Sequence, residues 1–286
     1  MKELSQVIKL LAEESLSPAG KPYLTVSLSS VRSAASQFSC SIKEVEITAL
    51  KNSIIPERYE RSMGTVGGTE GQILLLNSRA AVMGQGGLGG LASELLARMG
   101  VGTLLLIDGD SFSESNLNRQ VLATEDNLGE KKAEVSRSRI KSINAAVDAI
   151  SFAQMATEEN IEKLLGGCHV VLDCLDNLKT RFLLQDTCRK LSIPIIHGAI
   201  AQFYGQVSTI FPGDQGLNAI YRSFEKGKDK GIEKELGNPA TTPALVAAWQ
   251  AQEAIKLLLN KKELLRNRLL FIDTLEGSCD TIQLEG

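Results

Sequence analysis

The chain has 286 residues, 43% hydrophobic and 23% charged, a composition that allows a sizeable buried core in one or two domains. Its 31 Lys and Arg against 34 Asp and Glu give a formal net charge of −3, which lacks the basic excess of a nonspecific nucleic-acid binder. No apolar run reaches the roughly 18 residues of a membrane span. The start, MKELSQVIKLLAEES, turns acidic too soon for a secretory signal, and the five cysteines show no Cys-x-x-Cys spacing. These features argue against a disulfide framework and a tetrathiolate zinc site, and they make the cytoplasm the expected location.

Leu4, Val7, Ile8 and Leu11 recur at helical spacing and predict a helix over residues 3–15, broken by the prolines of SLSPAGKP. Two more short helices are expected at about 28–38 and 41–52, with Ser41 and Glu44 in capping-box spacing. Residues 1–55 therefore read as a helical accessory extension, packed on the main domain or serving as a docking or helix-turn-helix module. Lys and Arg are not concentrated enough there to prefer DNA.

From about residue 72 the rhythm changes. A buried strand at 79–83 precedes the helix GLASELLARMG, the strand TLLLID and a helix over 129–144. VDAISFA is a strand, EENIEKLL a helix, HVVLDCLD a strand, 178–191 a helix and PIIHGAI a strand. Further on, GQVSTIFP reads as a strand and PALVAAWQAQEAIKLLL as a long helix, with LLFID and TIQLE closing the sheet. This alternation predicts an α/β fold over residues 56–286: a Rossmann-like, mostly parallel sheet with helices on both faces.

Gly84-Gln85-Gly86-Gly87-Leu88-Gly89 falls between a strand and a helix. There Gly84 permits the tight turn, Gly86 lets backbone approach a ligand and Gly89 brings helix close to strand. The helix N-terminus offers free N–H groups to a phosphate. Asp108 ends the next strand at the offset of a ribose-binding carboxylate. These features alone suit NAD as well as ATP.

Arg119, in the polar loop Ser115-Asn116-Leu117-Asn118-Arg119-Gln120, and Lys132, in Gly129-Glu130-Lys131-Lys132, shift the balance towards a triphosphate and a pyrophosphate leaving group. The fourth strand ends in Leu172-Asp173-Cys174-Leu175-Asp176-Asn177, with Arg181 a turn later. A carboxylate at that end suits Mg²⁺, and Asp176 is the preferred ligand over Asp173. No nucleophile–base–acid triad stands out. His169 and His197, the only histidines, flank apolar strands and have a structural reading at least as good as a catalytic one.

In GQGGLG, IDGDSFSESNLNRQ, GEKKAE, VVLDCLDN with Arg181, GQVSTIF and PALVAAWQAQEAIK, together with Arg58-Tyr59-Glu60-Arg61, the chain resembles the ThiF/MoeB/HesA family of ubiquitin-activating-enzyme-like adenylyltransferases. The resemblance covers residues 56 to about 285. It implies ATP-dependent adenylation of the C-terminal glycine of a small ubiquitin-like sulfur-carrier protein. It also implies that Asp108 holds the ribose hydroxyls and that Asp110, in the same motif, belongs to the ATP-binding set. Asn116, Arg119 and Lys132 would contact phosphates, and Asp176, beside Asn177, would bind Mg²⁺. Arg61 would act in the neighbouring subunit's site of a homodimer.

Two departures from the family pattern carry expectations. Ile220-Tyr221-Arg222-Ser223 stands where relatives carry the first Cys-x-x-Cys pair, so no zinc is expected. The crossover loop, about 212–240, holds no cysteine, and Cys188 reads as a helix-packing residue, so adenylation without a covalent enzyme–carrier intermediate is expected. Three competing readings are kept: a tRNA threonylcarbamoyl-adenosine dehydratase using the same core, an NAD-dependent oxidoreductase, and a non-catalytic nucleotide-binding scaffold.

Overall fold

The computed structural model describes residues 2–17, 20–221 and 237–284. The N-terminal part runs α1 (Lys2–Leu10), β1 (Glu13–Leu16), β2 (Pro22–Val26), α2 (Leu28–Gln37), α3 (Ile42–Lys51) and β3 (Ile54–Pro56). Its strands form a separate three-stranded sheet, with β1 antiparallel and β3 parallel to β2. Leu4, Ile8, Val26, Val31, Val45, Ala49 and Ile54 form a core of its own.

The expected helical extension is thus corrected to an α+β unit, and the first helix stops at Leu10 rather than residue 15. The reason is burial. β1 is almost wholly exposed and only Thr25 and Val26 of β2 are buried, so the hairpin leaves no period-2 pattern in the sequence. The other edge of β2 pairs with the distant β3. The capping box at α3 is present: Ser41 Oγ accepts from Glu44 N at 3.2 Å and Glu44 Oε2 from Ser41 N at 2.8 Å.

A buried polar cluster fixes this unit to the rest of the chain. Glu46, fully buried on α3, lies 3.2 Å from Arg58 Nε and accepts from the Tyr59 hydroxyl at 2.9 Å. That hydroxyl in turn accepts from Asn144 Nδ2 at 3.0 Å. Burial pushes the Glu46 carboxyl up, and Arg58 opposes the shift. Tyr23 donates to Glu60, and Lys43 pairs with Asp148.

A 3-10 helix (Glu57–Ser62) follows, then α4 (Met63–Val66), α5 (Gly68–Leu76), β4 (Arg79–Met83), α6 (Gly89–Arg98) and β5 (Thr103–Ile107). Next come α7 (Lys132–Ile143), β6 (Asp148–Phe152), α8 (Ile161–Leu165), β7 (Val170–Asp173), α9 (Leu178–Leu191), β8 (Ile195–Ala201), β9 (Tyr204–Ile210) and α10 (Leu217–Ile220). The described chain closes with α11 (Thr241–Leu258), β10 (Arg268–Asp273) and β11 (Ser278–Gln283).

The large sheet has eight strands in the order β11-β10-β9-β8-β7-β4-β5-β6. The five from β8 to β6 are parallel, and β9, β10 and β11 continue the sheet antiparallel. Along β4, Ala80 and Val82 face the core beneath α6 and α11, while Ala81 and Met83 face the core beneath α9. Both faces are therefore covered, as parallel strands require. The chain leaves β4 towards β5 on one side and returns through β7 on the other. A crevice opens between these diverging connections, at the C-terminal ends of the strands. No helix among the described residues is long and apolar enough to cross a membrane.

Candidate nucleotide-binding cleft

The glycine loop forms the base of the crevice. Gly84 adopts φ +90°, and a Cβ there would lie 2.6 Å from the Cys174 carbonyl oxygen, so only glycine fits. A Cβ on Gly89 would lie 1.7 Å from the Gly84 carbonyl oxygen, so its role is close helix–strand contact rather than contact with a ligand. Gly86 differs: no atom lies closer than 3.5 Å to an added Cβ, and its backbone faces the open cleft.

Around this loop lies one cleft of about 1210 Å³. Of the predicted residues it brings together Gly84, Gly86, Gly87, Asp108, Asp110, Arg119, Lys132, Asp176 and Asn177. Asp108 ends β5, where Oδ2 accepts from Gln85 N at 2.7 Å and Oδ1 from Asp110 N at 2.8 Å. Burial pushes its carboxyl up against those two bonds. Lys132 opens α7 and is 7% exposed, with Nζ 3.3 Å from Asp110 Oδ2. Arg119 is anchored by its own loop, donating to Ser115 O at 3.0 Å and Asn118 Oδ1 at 2.8 Å. Asn177 caps α9 through Thr180 N at 2.9 Å and so fixes the loop bearing Asp176.

Three predicted residues lie outside the lining. Asn116 is buried, and its Oδ1 accepts from Ser113 N at 3.1 Å, so this carboxamide shapes the loop that carries Arg119. Gly89 is buried behind the loop. Arg61 is exposed on the 3-10 helix and does not line the cleft of its own chain.

Under the cleft lies a polar network that joins side chains far apart in the sequence. Asp173 Oδ2 is 2.8 Å from His197 Nδ1, and both side chains are buried. His197 Nε2 is 3.2 Å from the Tyr221 hydroxyl, which accepts from Arg181 Nη1 at 2.9 Å and from Gln206 Nε2 at 2.7 Å. Burial pushes Asp173 upward, but Arg181 and His197 outweigh it and hold the carboxyl below its usual range. Burial lowers His197, leaving the imidazole neutral. The signal available was composition: one His and one Asp at the ends of apolar strands, where buried polar groups need partners. His169 is structural, its Nδ1 accepting from Arg79 N at 2.9 Å.

The crossover segment expected at about 212–240 lies outside the described residues over 222–236, and so do Arg222 and Ser223 of the expected zinc-less position.

Fold and cleft define a Rossmann-type α/β enzyme whose cleft, at the C-terminal ends of the strands, sets two cations and a carboxylate beside the glycine loop. The model of the ThiF family matches residues 59–286, and the chain belongs to that family. It is 38% identical over 231 residues to the SAMP-activating enzyme E1 of Haloferax volcanii, covering 79% of this chain and 84% of that one. It is 36% identical over 229 residues to the sulfur carrier protein adenylyltransferase of Thermus thermophilus, covering 78% of this chain and 84% of that one. Among solved structures, E. coli MccB with MccA-N7isoASN superposes with TM-score 0.67 at 22% identity, covering 79% of this chain and 72% of that one. The chain is an adenylyltransferase of the ubiquitin-activating type.

Proposed function

We propose that the chain uses ATP to adenylate the C-terminal glycine carboxylate of a small ubiquitin-like sulfur-carrier protein, releasing pyrophosphate. The observation that carries this reading is the meeting of Arg119, Lys132 and Asp176 around one glycine loop in one cleft. A carboxylate oxygen of the carrier attacks the α-phosphorus, and the bond from that phosphorus to the α–β bridging oxygen breaks. The electron pair leaves with pyrophosphate and no proton has to move, so no general base is needed. The obstacle is repulsion between two anions, which buried and anchored cations relieve.

Asp108 would hold the ribose hydroxyls. Gly86, the N-terminus of α6, Lys132 and Arg119 would hold phosphate oxygens. Asp176 offers the hard oxygen ligand that Mg²⁺ takes, at a strand end facing the same cleft, and the bound ion would neutralise phosphate charge. Arg61 would complete the site of a second copy in a homodimer, which agrees with its exposure away from its own cleft. A cytoplasmic location belongs to the same reading.

The cysteines support adenylation without a covalent enzyme–carrier bond. Burial pushes the thiols of Cys168, Cys174 and Cys188 up, to about 11 for Cys168, which makes them poor nucleophiles. Cys174 borders the cleft, but its Sγ is 3.5 Å from Gln250 Oε1. Cys40 and Cys279 do not line the cleft. That no zinc is bound remains part of the proposal, tested by metal analysis of the purified protein.

The test of function is exchange of labelled pyrophosphate into ATP, in wild type and Asp176→Ala. Exchange that requires a ubiquitin-like protein with a free terminal glycine, and that falls at least about 100-fold in Asp176→Ala, is expected. Exchange stimulated by tRNA instead would replace the carrier with a modified nucleoside as substrate.

A further inference from the structure

Gln85 lies inside the glycine loop, yet its side chain does not line the cleft. The residue is fully buried, and its carboxamide spans three elements. Nε2 donates to the Val82 carbonyl on β4 at 3.1 Å. Oε1 accepts two hydroxyls: Ser93 on α6 at 3.0 Å and Ser136 on α7 at 2.8 Å. Both serines are fully buried. Ser136 follows Lys132 by four residues, so the two share one face of α7.

We propose that Gln85 is a positioning residue: its side-chain bond to Ser136 sets α7, and with it the Lys132 ammonium, in register with the phosphate-binding loop. This rests on the reading of Lys132 as a phosphate-binding cation. The main chain of Gln85 independently holds Asp108 through its N–H. The residue between the first two glycines thus connects the ribose carboxylate, the loop and the cation. Ser93 donates to the same oxygen but sits on α6, a helix already seated against the loop by the Gly89–Gly84 contact.

Ser93→Ala and Ser136→Ala each remove one buried hydroxyl from the same acceptor, so a purely structural role predicts equal losses of thermal stability and of activity. Positioning predicts equal losses of stability but unequal losses of activity. Ser136→Ala should lower the kcat of pyrophosphate exchange about tenfold, since a misplacement well under 1 Å already weakens an oriented contact. Its KM for ATP should change less than about threefold, because Asp108 and the glycine loop keep their bonds. Ser93→Ala should stay within about twofold of wild type in both parameters. Equal activity losses in the two variants, or none in Ser136→Ala, overturn the proposal. Lys132→Ala separates the two levels. If it loses exchange while Ser136→Ala keeps it, only the positioning role fails; if Lys132→Ala keeps exchange, the reading of the site fails first.

Discussion

Two glycines of one loop should respond to the same methyl group in opposite ways. At Gly89 an added Cβ would stand 1.7 Å from the Gly84 carbonyl oxygen and 3.1 Å from Val82 Cγ1. An ordinary C···O approach is about 3.3 Å, so α6 must move from the loop by about 1.6 Å, the difference between that value and 1.7 Å. Overpacking of this kind costs about 1–3 kcal/mol. At about 2–4 °C per kcal/mol for a chain near this size, the Tm of Gly89→Ala should fall by about 2–12 °C. The displacement also exceeds the 1 Å shift that can cost about 100-fold in rate.

At Gly86 the nearest atom to an added Cβ is Gln120 Nε2 at 3.5 Å, an ordinary contact, and φ is not positive. Gly86→Ala should therefore keep the wild-type Tm to within the about 0.5 kcal/mol typical of harmless substitutions. Its methyl would occupy the space through which a phosphate approaches the backbone, and ATP affinity should fall at least about tenfold. Scanning calorimetry of both variants and titration calorimetry with ATP and Mg²⁺ read the two effects separately. Wild-type ATP affinity in Gly86→Ala, or a wild-type Tm in Gly89→Ala, refutes this account of the loop.

Other outcomes follow from the same geometry. Mixed dimers of Arg61→Ala and Asp176→Ala chains should regain one competent site, measured as partial return of pyrophosphate exchange on mixing two inactive proteins. A mixture that stays inactive although heterodimers form removes Arg61 from the neighbouring site. His197 is lowered from 6.5 by burial, so below pH 6.5 the unfolded chain binds the proton that the native imidazole refuses. Stability should fall as pH drops from 6.5 towards the folded value. Asp173, held below 3.8, adds a further loss only as pH falls beneath that value. In His197→Gln the urea midpoint should depend less on pH as pH falls below about 6.5; an unchanged slope assigns the acid loss to other groups.

The main sheet was legible because its strands are short apolar runs separated by long helical segments, and β4, β5, β7 and β8 fall where those runs predict. Residues 13–26 were not, since β1 presents its side chains to solvent and pairs through β2 with residues some 30 positions away. In the cleft, Gly84, Asp108, Lys132 and Asp176 come together as the sequence predicts, because each chemical type stands at a fixed point of a strand–loop–helix unit. Asn116 and Gln85 show where that reading ends. Both are polar residues beside the cleft, but one shapes its own loop and the other ties two helices together. Which way a carboxamide points depends on packing that local sequence does not encode. The Asp173–His197–Tyr221 contact joins residues 24 positions apart on either side, and only the closed fold brings them together.

Transfer of AMP to a carrier's terminal carboxylate in this cleft is read from the intact mass of a ubiquitin-like sulfur carrier incubated with the enzyme, ATP and Mg²⁺. The expected product is a carrier heavier by one AMP, formed with wild type and absent with Asp176→Ala or with a carrier lacking its terminal glycine. An adduct on the truncated carrier, or none on the intact one while ATP is consumed, would contradict the proposed function.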